Sequence, residues 1–202
     1  KASLARMLHE AAAYRLEPLS FLDLDWGIVN RQLAREASMR RSGPIAENLL
    51  RGRGSDDALV FWGEDRVRTR MSHEELYRAV ARFAAALKAQ GVVAGDRVAA
   101  YMPNMPETVV AMLAAASMGA IFTSASPDFG VQGVVDRFGQ TEPKVLIACD
   151  GYYYGGKTID VLGKLAEIVP QLPSLARVVV VPYLNRHHDL SAIPHACMLE
   201  DF

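Results

Sequence analysis

The sequence predicts an α/β fold: a mostly parallel sheet with helices on both faces, preceded by an N-terminal helical arm. Three observations carry this expectation. Arg97–Met102, Ala120–Thr123, Lys144–Cys149 and Arg177–Val181 are short apolar runs, most of them bounded by Gly or Pro, and read as buried strands. Between them lie segments whose apolar residues recur at helical spacing. Strand alternating with helix implies right-handed crossovers and strands running the same way.

The elements follow in order. Residues 3–16 place Leu4, Met7, Leu8, Ala11 and Ala12 on one helical face, and Pro18 stops the pattern. Phe21–Trp26 alternates apolar and acidic residues. Residues 28–40 are weakly helical and Arg-rich, and Ser42-Gly43-Pro44 sets the end of the arm, residues 1–44. Ala46–Arg51 reads as a helical turn docked through Leu49 and Leu50. Ala58–Gly63 and Val67–Met71 suggest a hairpin around Glu64-Asp65. Ser72-His73-Glu74-Glu75 is a capping box, because hydroxyl and carboxylate can satisfy free amides at a helix start. It opens a helix to about Gln90, with Gly91 to end it. Asn104 is placed to cap a helix over Pro106–Met118, which Gly119 ends. Val131–Gln140 carries Val131, Val134, Val135 and Phe138 on one face. A further helix is expected over about 158–169, with Ile159, Leu162, Leu165, Ala166 and Val169 inward. Residues 184–195 are polar, contain three His, and read as a surface loop.

Composition narrows the function classes. Half of the 202 residues are apolar, enough for one sizeable core. The net charge is −1 with both signs interspersed, which argues against nucleic acid as a partner. The longest apolar stretch, Val109–Phe122, is interrupted by Ser117 and Gly119 and is too short to span a membrane. The start lacks the apolar core and cleavage site of a secretory signal. Cys149 and Cys197 have neither metal nor disulfide spacing, so a reducing, cytoplasmic setting is expected. The chain opens on Lys1 and stops at Phe202 as a new pattern begins, and is read as a piece of something longer.

In a parallel sheet, ligands sit beyond the carboxyl ends of the strands. Pro103-Asn104, Ser124–Gly130 and Asp150–Lys157 fall on that edge. The run Tyr152-Tyr153-Tyr154-Gly155-Gly156-Lys157 lies between an expected strand and an expected helix. Paired glycines allow close backbone approach, a helix start offers amides to an anion, and Lys157 adds a cation. Those residues suit a phosphate, and equally an ordinary glycine turn. Thr123–Gly130 could line a ligand channel or simply exit a strand and start a helix. His187, His188 and His195 lack metal-ligand spacing and read as solvated loop residues. No residue is marked as a catalytic nucleophile or base, and no metal ligand set is readable.

Longer motifs add a resemblance. A helix followed by Gly-Val-x-x-Gly-Asp-Arg-Val (91–98), Met-Pro-Asn-x-Pro-Glu (102–107) and a helix ending in Gly-Ala resembles the N-terminal part of AMP-forming acyl-CoA synthetases, the adenylate-forming superfamily. Ser-Pro-Asp-Phe-Gly (126–130) and Asp-Gly-Tyr-Tyr-Tyr-Gly-Gly-Lys (150–157) are similar to the acetoacetate-activating branch, as are AENLLRG (46–52), VVVVPYL (178–184) and IPHACMLEDF (193–202). The likeness covers about residues 45–202. It implies the first subdomain of a two-step ligase using acetoacetate, ATP, CoA and Mg²⁺, or of another short-chain acyl-CoA synthetase. A truncated, non-catalytic nucleotide- or protein-binding module stays open beside these. The family's Gly-rich phosphate loop, nucleotide-binding residues and catalytic Lys have no counterpart here, so the chain alone is expected to be inactive and to need the rest of its own chain. The resemblance also places the nucleotide end of CoA at Tyr154, Gly155, Gly156 and Lys157, and the pantetheine path loosely near Ser126, Pro127 and Asp128.

Overall fold

The computed structural model describes residues 45–64, 66–184 and 188–202. The helical arm expected over 1–44, and His187, lie outside them. The first element, α1 (Ile45–Leu49), buries Ala46 and packs Leu50 on the core. Leu49, expected to dock, is exposed instead. β1 (Asp57–Gly63) and β2 (Val67–Ser72) pair antiparallel, as the expected hairpin requires. The capping box forms. Ser72 Oγ accepts from Glu75 N at 3.2 Å, and Glu75 accepts from Ser72 N at 2.8 Å. It opens α2 (His73–Ala89), which buries Leu76, Val80, Phe83 and Leu87 and gives way to Gly91 at φ +74°.

The central winding then begins. β3 (Arg97–Tyr101) leads through α3 (Pro106–Ser117) to β4 (Ile121–Ala125). The cap expected at Asn104 falls one residue later. Met105 is the N-cap with no side-chain bond, and Pro106, whose missing N–H costs nothing at a helix start, supplies the signal. From β4 the chain returns through α4 (Val131–Thr141) to β5 (Val145–Cys149) on the other side of β3. Every residue of β5 is buried, as a strand covered on both faces should be.

Beyond β5 the chain departs from the expected strand-to-helix turn. Gly151–Tyr154 and Lys157–Asp160 are two short strands, β6 and β7, paired as a hairpin. The helix expected over 158–169 starts later, as α5 (Leu162–Ile168), and continues as a 3₁₀ turn over Val169–Gln171. The tyrosines favour extended backbone, and the glycine pair closes the turn between them. The following strand, β8 (Arg177–Val181), forms as expected. A further parallel strand, β9 (Ala196–Met198), pairs with it; its apolar run is too short to mark a strand in the sequence.

The main sheet has the order β4-β3-β5-β8-β9, and all its neighbouring pairs are parallel. α1 and α2 pack on α3, while α4 packs on α5, giving the two helical layers of a doubly wound sheet. The winding reverses between β3 and β5. Crevices that hold ligands form at the carboxyl ends of strands at such a point. Among the described residues, no helix is long and apolar enough to cross a membrane.

Candidate functional site

Four groups of residues occupy the carboxyl edge of the sheet. The first closes the β3–β5 crevice with side chains. Tyr101 is fully buried at the end of β3, so its hydroxyl must find partners. It donates toward the carbonyls of Pro127 at 2.9 Å and Phe129 at 2.6 Å. Tyr152 donates to Asp128 Oδ1 at 2.5 Å, Ser126 Oγ donates to Asp128 Oδ2 at 2.8 Å, and Lys164 Nζ donates to Pro127 O at 2.9 Å. Burial pushes the Tyr101 hydroxyl up to about 12. It raises Tyr152 as well, and the bond to Asp128 adds to the rise. These groups are fixed hydrogen-bond donors at neutral pH, not acids or bases. Ser126, Pro127 and Asp128 are thus locked into one loop shape from both neighbouring strands. Cys149, beside them, is buried, and burial lifts its thiol to about 12, so it is an inert packing residue.

The second group is the glycine turn. Tyr154 and Lys157 face each other as the closing pair of the β6–β7 hairpin, with Gly155 at φ +56° and Gly156 at φ +76° between them. Both central residues at positive φ make the two-residue turn that suits a twisted hairpin. The structure therefore brings Tyr154, Gly155, Gly156 and Lys157 together. It removes the helix start expected behind them, and with it the row of free helix amides. Tyr154 is 66 % exposed, and Lys157 is exposed too. The β1–β2 turn reaches this one from ninety residues away. Glu64 Oε2 accepts from Gly156 N at 3.2 Å, and Arg66 Nη2 donates to Gly156 O at 3.3 Å. The Arg66 guanidinium also stands 5.0 Å from the Tyr153 ring centre. Tyr183 joins the two hairpins below, its ring 6.1 Å from Phe61 and 5.6 Å from Tyr153. A Cβ on Gly63 would run into the Tyr183 hydroxyl.

The third group is a buried carboxylate. Asp150 is 0 % exposed. It accepts from Leu184 N at 3.0 and 3.1 Å, and from His188 Nε2 at 2.8 Å. The bond requires the proton on Nε2. His188 is thus a largely buried partner of the sheet edge, not the solvated loop residue its polar neighbourhood suggests. Asp150 ties the segment after β8 to the start of the β6–β7 hairpin.

The fourth is a cleft of about 280 Å³ lined by Phe61, Val67, Met105, Glu107, Tyr183 and Leu199, among others. Glu107 Oε2 is buried there with no hydrogen-bond partner among the described residues. Burial raises its carboxyl above the ordinary 4.5. The native state therefore holds this proton more tightly than the unfolded state. That contribution is present below the ordinary value and is lost as pH rises through the raised one. Glu107→Gln keeps a polar group there but removes the charge that burial disfavours, and is expected to stabilise the chain by about 1 kcal/mol at neutral pH, the scale of a shift of roughly one pKa unit. The gain should vanish below the ordinary value of 4.5, as read from urea midpoints on either side of it.

With this geometry in place, comparison with known proteins is decisive. A family model described as AMP-binding enzyme matches residues 47–195. The chain belongs to the AMP-binding enzyme family. Among AMP-binding relatives, the acetoacetyl-coenzyme A synthetase of Rhizobium meliloti (strain 1021) is 59% identical over 139 residues, 69% of this chain and 21% of that protein. The acetoacetyl-CoA synthetase of Macaca fascicularis is 46% identical over 162 residues, 78% of this chain and 24% of its own length. The solved acetoacetyl-CoA synthetase from Streptomyces lividans matches with a TM-score of 0.73 and 41% identity, over 79% of this chain and 24% of that one. The chain thus spans about a fifth to a quarter of the AMP-binding relatives it matches.

Several residues of these four groups carry little or no signal in the sequence. Asp150 and Glu107 carried a weak signal, as acidic residues directly after a buried strand and inside a Pro-Glu helix start. Glu64 and Arg66 carried none, because only the tertiary fold sets them beside Gly156.

Proposed function

We propose that this chain is the first subdomain of an AMP-forming acetoacetate–CoA ligase. The observation that carries the proposal is the 59% identity to an acetoacetyl-coenzyme A synthetase, with like-named relatives and a solved structure behind it. In the reaction, an acetoacetate carboxylate oxygen attacks the α-phosphorus of ATP and pyrophosphate leaves. The CoA thiol then attacks the acyl carbon of acetoacetyl-AMP, and AMP leaves. Mg²⁺ would offset phosphate charge in the whole protein. Among the described residues no group of three or more His, Cys, Asp or Glu is arranged to hold a metal ion, so no step is assigned to one here. The ATP clamp is assigned to residues outside this chain, and a cytoplasmic setting goes with the reading.

Within the chain, the turn Tyr154-Gly155-Gly156-Lys157 is assigned to the nucleotide end of CoA. Its exposure, its open glycines and the Lys157 cation support this. A Cβ at either glycine would meet nothing within 4 Å, so the backbone surface there is open to a ligand. The Ser126–Asp128 loop, held rigid by Tyr101 and Tyr152, is placed along the pantetheine path.

The test is acyl specificity in the whole protein. Thioester formation should be fastest with acetoacetate among acetate, propionate, butyrate and acetoacetate. A preference for another acid would move the chain to a different short-chain acyl-CoA synthetase. The 202-residue chain by itself should show no acetoacetate-dependent exchange of pyrophosphate into ATP.

A further inference from the structure

Two turns from distant parts of the chain meet at one residue, Gly156. Glu64 takes the N–H of Gly156 and Arg66 takes hydrogen-bond contact with its carbonyl. Glycines at positive φ in an exposed two-residue turn have wide backbone freedom, so a turn without outside contacts would sample many shapes. Here Gly156, the residue before Lys157, is held on both sides of its Cα, by its N–H in one peptide and its C=O in the next. The contact is supported from beneath. Arg66 lies over Tyr153, and Tyr183 packs between Phe61 of one hairpin and Tyr153 of the other. The two residues also set the local charge. Arg66 brings a guanidinium, with five donors of which the Gly156 bond engages one, to the residue beside Lys157.

We infer that Glu64 and Arg66 are positioning residues for CoA: together they clamp Gly156 by its N–H and its C=O, so that Lys157 is presented to the ligand's phosphates in one fixed geometry. This rests on the assignment of the Tyr154–Lys157 turn to CoA. Glu64 and Arg66 act through the turn, and a ligand-binding step that gains from a pre-ordered loop loses affinity when the order is removed. The β1–β2 hairpin then has a purpose beyond covering the core. It couples CoA affinity to a segment about ninety residues upstream.

The experiment uses the whole protein and measures two half-reactions separately. Arg66→Ala and Glu64→Ala should each raise the KM for CoA about five- to tenfold, with kcat nearly unchanged. Acetoacetate-dependent pyrophosphate exchange, which proceeds without CoA, should be unaltered, showing that the variants fold. Arg66→Lys should recover part of the loss, since an ammonium can still reach the Gly156 carbonyl. Either alanine variant leaving the KM for CoA within twofold of wild type overturns the clamp. For Glu64 the alternative has the opposite sign: if its carboxylate merely repelled phosphate, removal would lower the KM. Lys157→Ala, run alongside, separates the two ideas. A raised KM in Lys157→Ala with none in the clamp variants overturns the clamp and leaves the CoA assignment standing. No change in any of the three overturns both.

Discussion

Asp150→Ala should lower the stability of this fold by about 3 kcal/mol or more. The carboxylate is fully buried and accepts from Leu184 N and His188 Nε2. Truncation leaves a buried backbone amide and a buried imidazole N–H without acceptors, at a cost on the order of 1–3 kcal/mol each. The effect should be local as well as global. Leu184, His188 and the base of the β6–β7 hairpin lose their shared anchor, so amide exchange at Leu184 should accelerate more than at Ile147 in the centre of β5. Asp150→Asn supplies the control. Its carbonyl oxygen still accepts one bond, so it should lose markedly less stability in urea unfolding. Equal loss in both variants would mean that charge, not acceptor geometry, is what the site needs.

Gly151→Ala comes next in size, for a steric reason. A Cβ at residue 151 would lie 2.5 Å from the carbonyl oxygen of Ile159 and closer still to Leu184 Cδ1. Leu184 can turn aside, but the Ile159 oxygen is backbone of the paired strand. The first rungs of the hairpin, Gly151 with Asp160 and Tyr152 with Ile159, must then separate. Overpacking of this kind typically costs about 1–3 kcal/mol. Here it also shifts the strand that carries Tyr152, so the bond to Asp128 should weaken with it. The prediction is a lower urea midpoint for Gly151→Ala and a near-neutral effect for Gly139→Ala, where a Cβ meets nothing within 4 Å.

Much of this was legible in the sequence, and the particular successes share a cause. β3, β5 and β8 are apolar runs too short for helices and edged by Gly, Pro or charged residues, so burial on both faces declares them. The capping box at Ser72 is a local device, readable without tertiary knowledge. The failures share the opposite cause. β7 reads as a helix start because Ile159 also fits the helical face of α5. What decides is pairing with the tyrosines before it, and periodicity does not see pairing. β9 is three residues long, below what any pattern can mark. At the site, the composition of Tyr154–Lys157 pointed to a turn that could meet phosphate. The helix amides inferred behind it are absent, and the Gly156 amide is instead engaged by Glu64. His188 was misjudged because its neighbours are polar, although its partner Asp150 is a buried residue at the end of a strand.

The most direct test of the account is CoA affinity in the whole protein carrying Lys157→Ala, measured beside acetoacetate-dependent pyrophosphate exchange. A charge-assisted hydrogen bond is worth roughly 1.5–3 kcal/mol, so the Kd for CoA should rise about 10- to 150-fold while exchange stays at the wild-type rate. That split would place the Gly-Gly hairpin in the thioester-forming half of the reaction. An unchanged Kd for CoA, with exchange intact, would contradict the account and return the turn to a structural element of the fold.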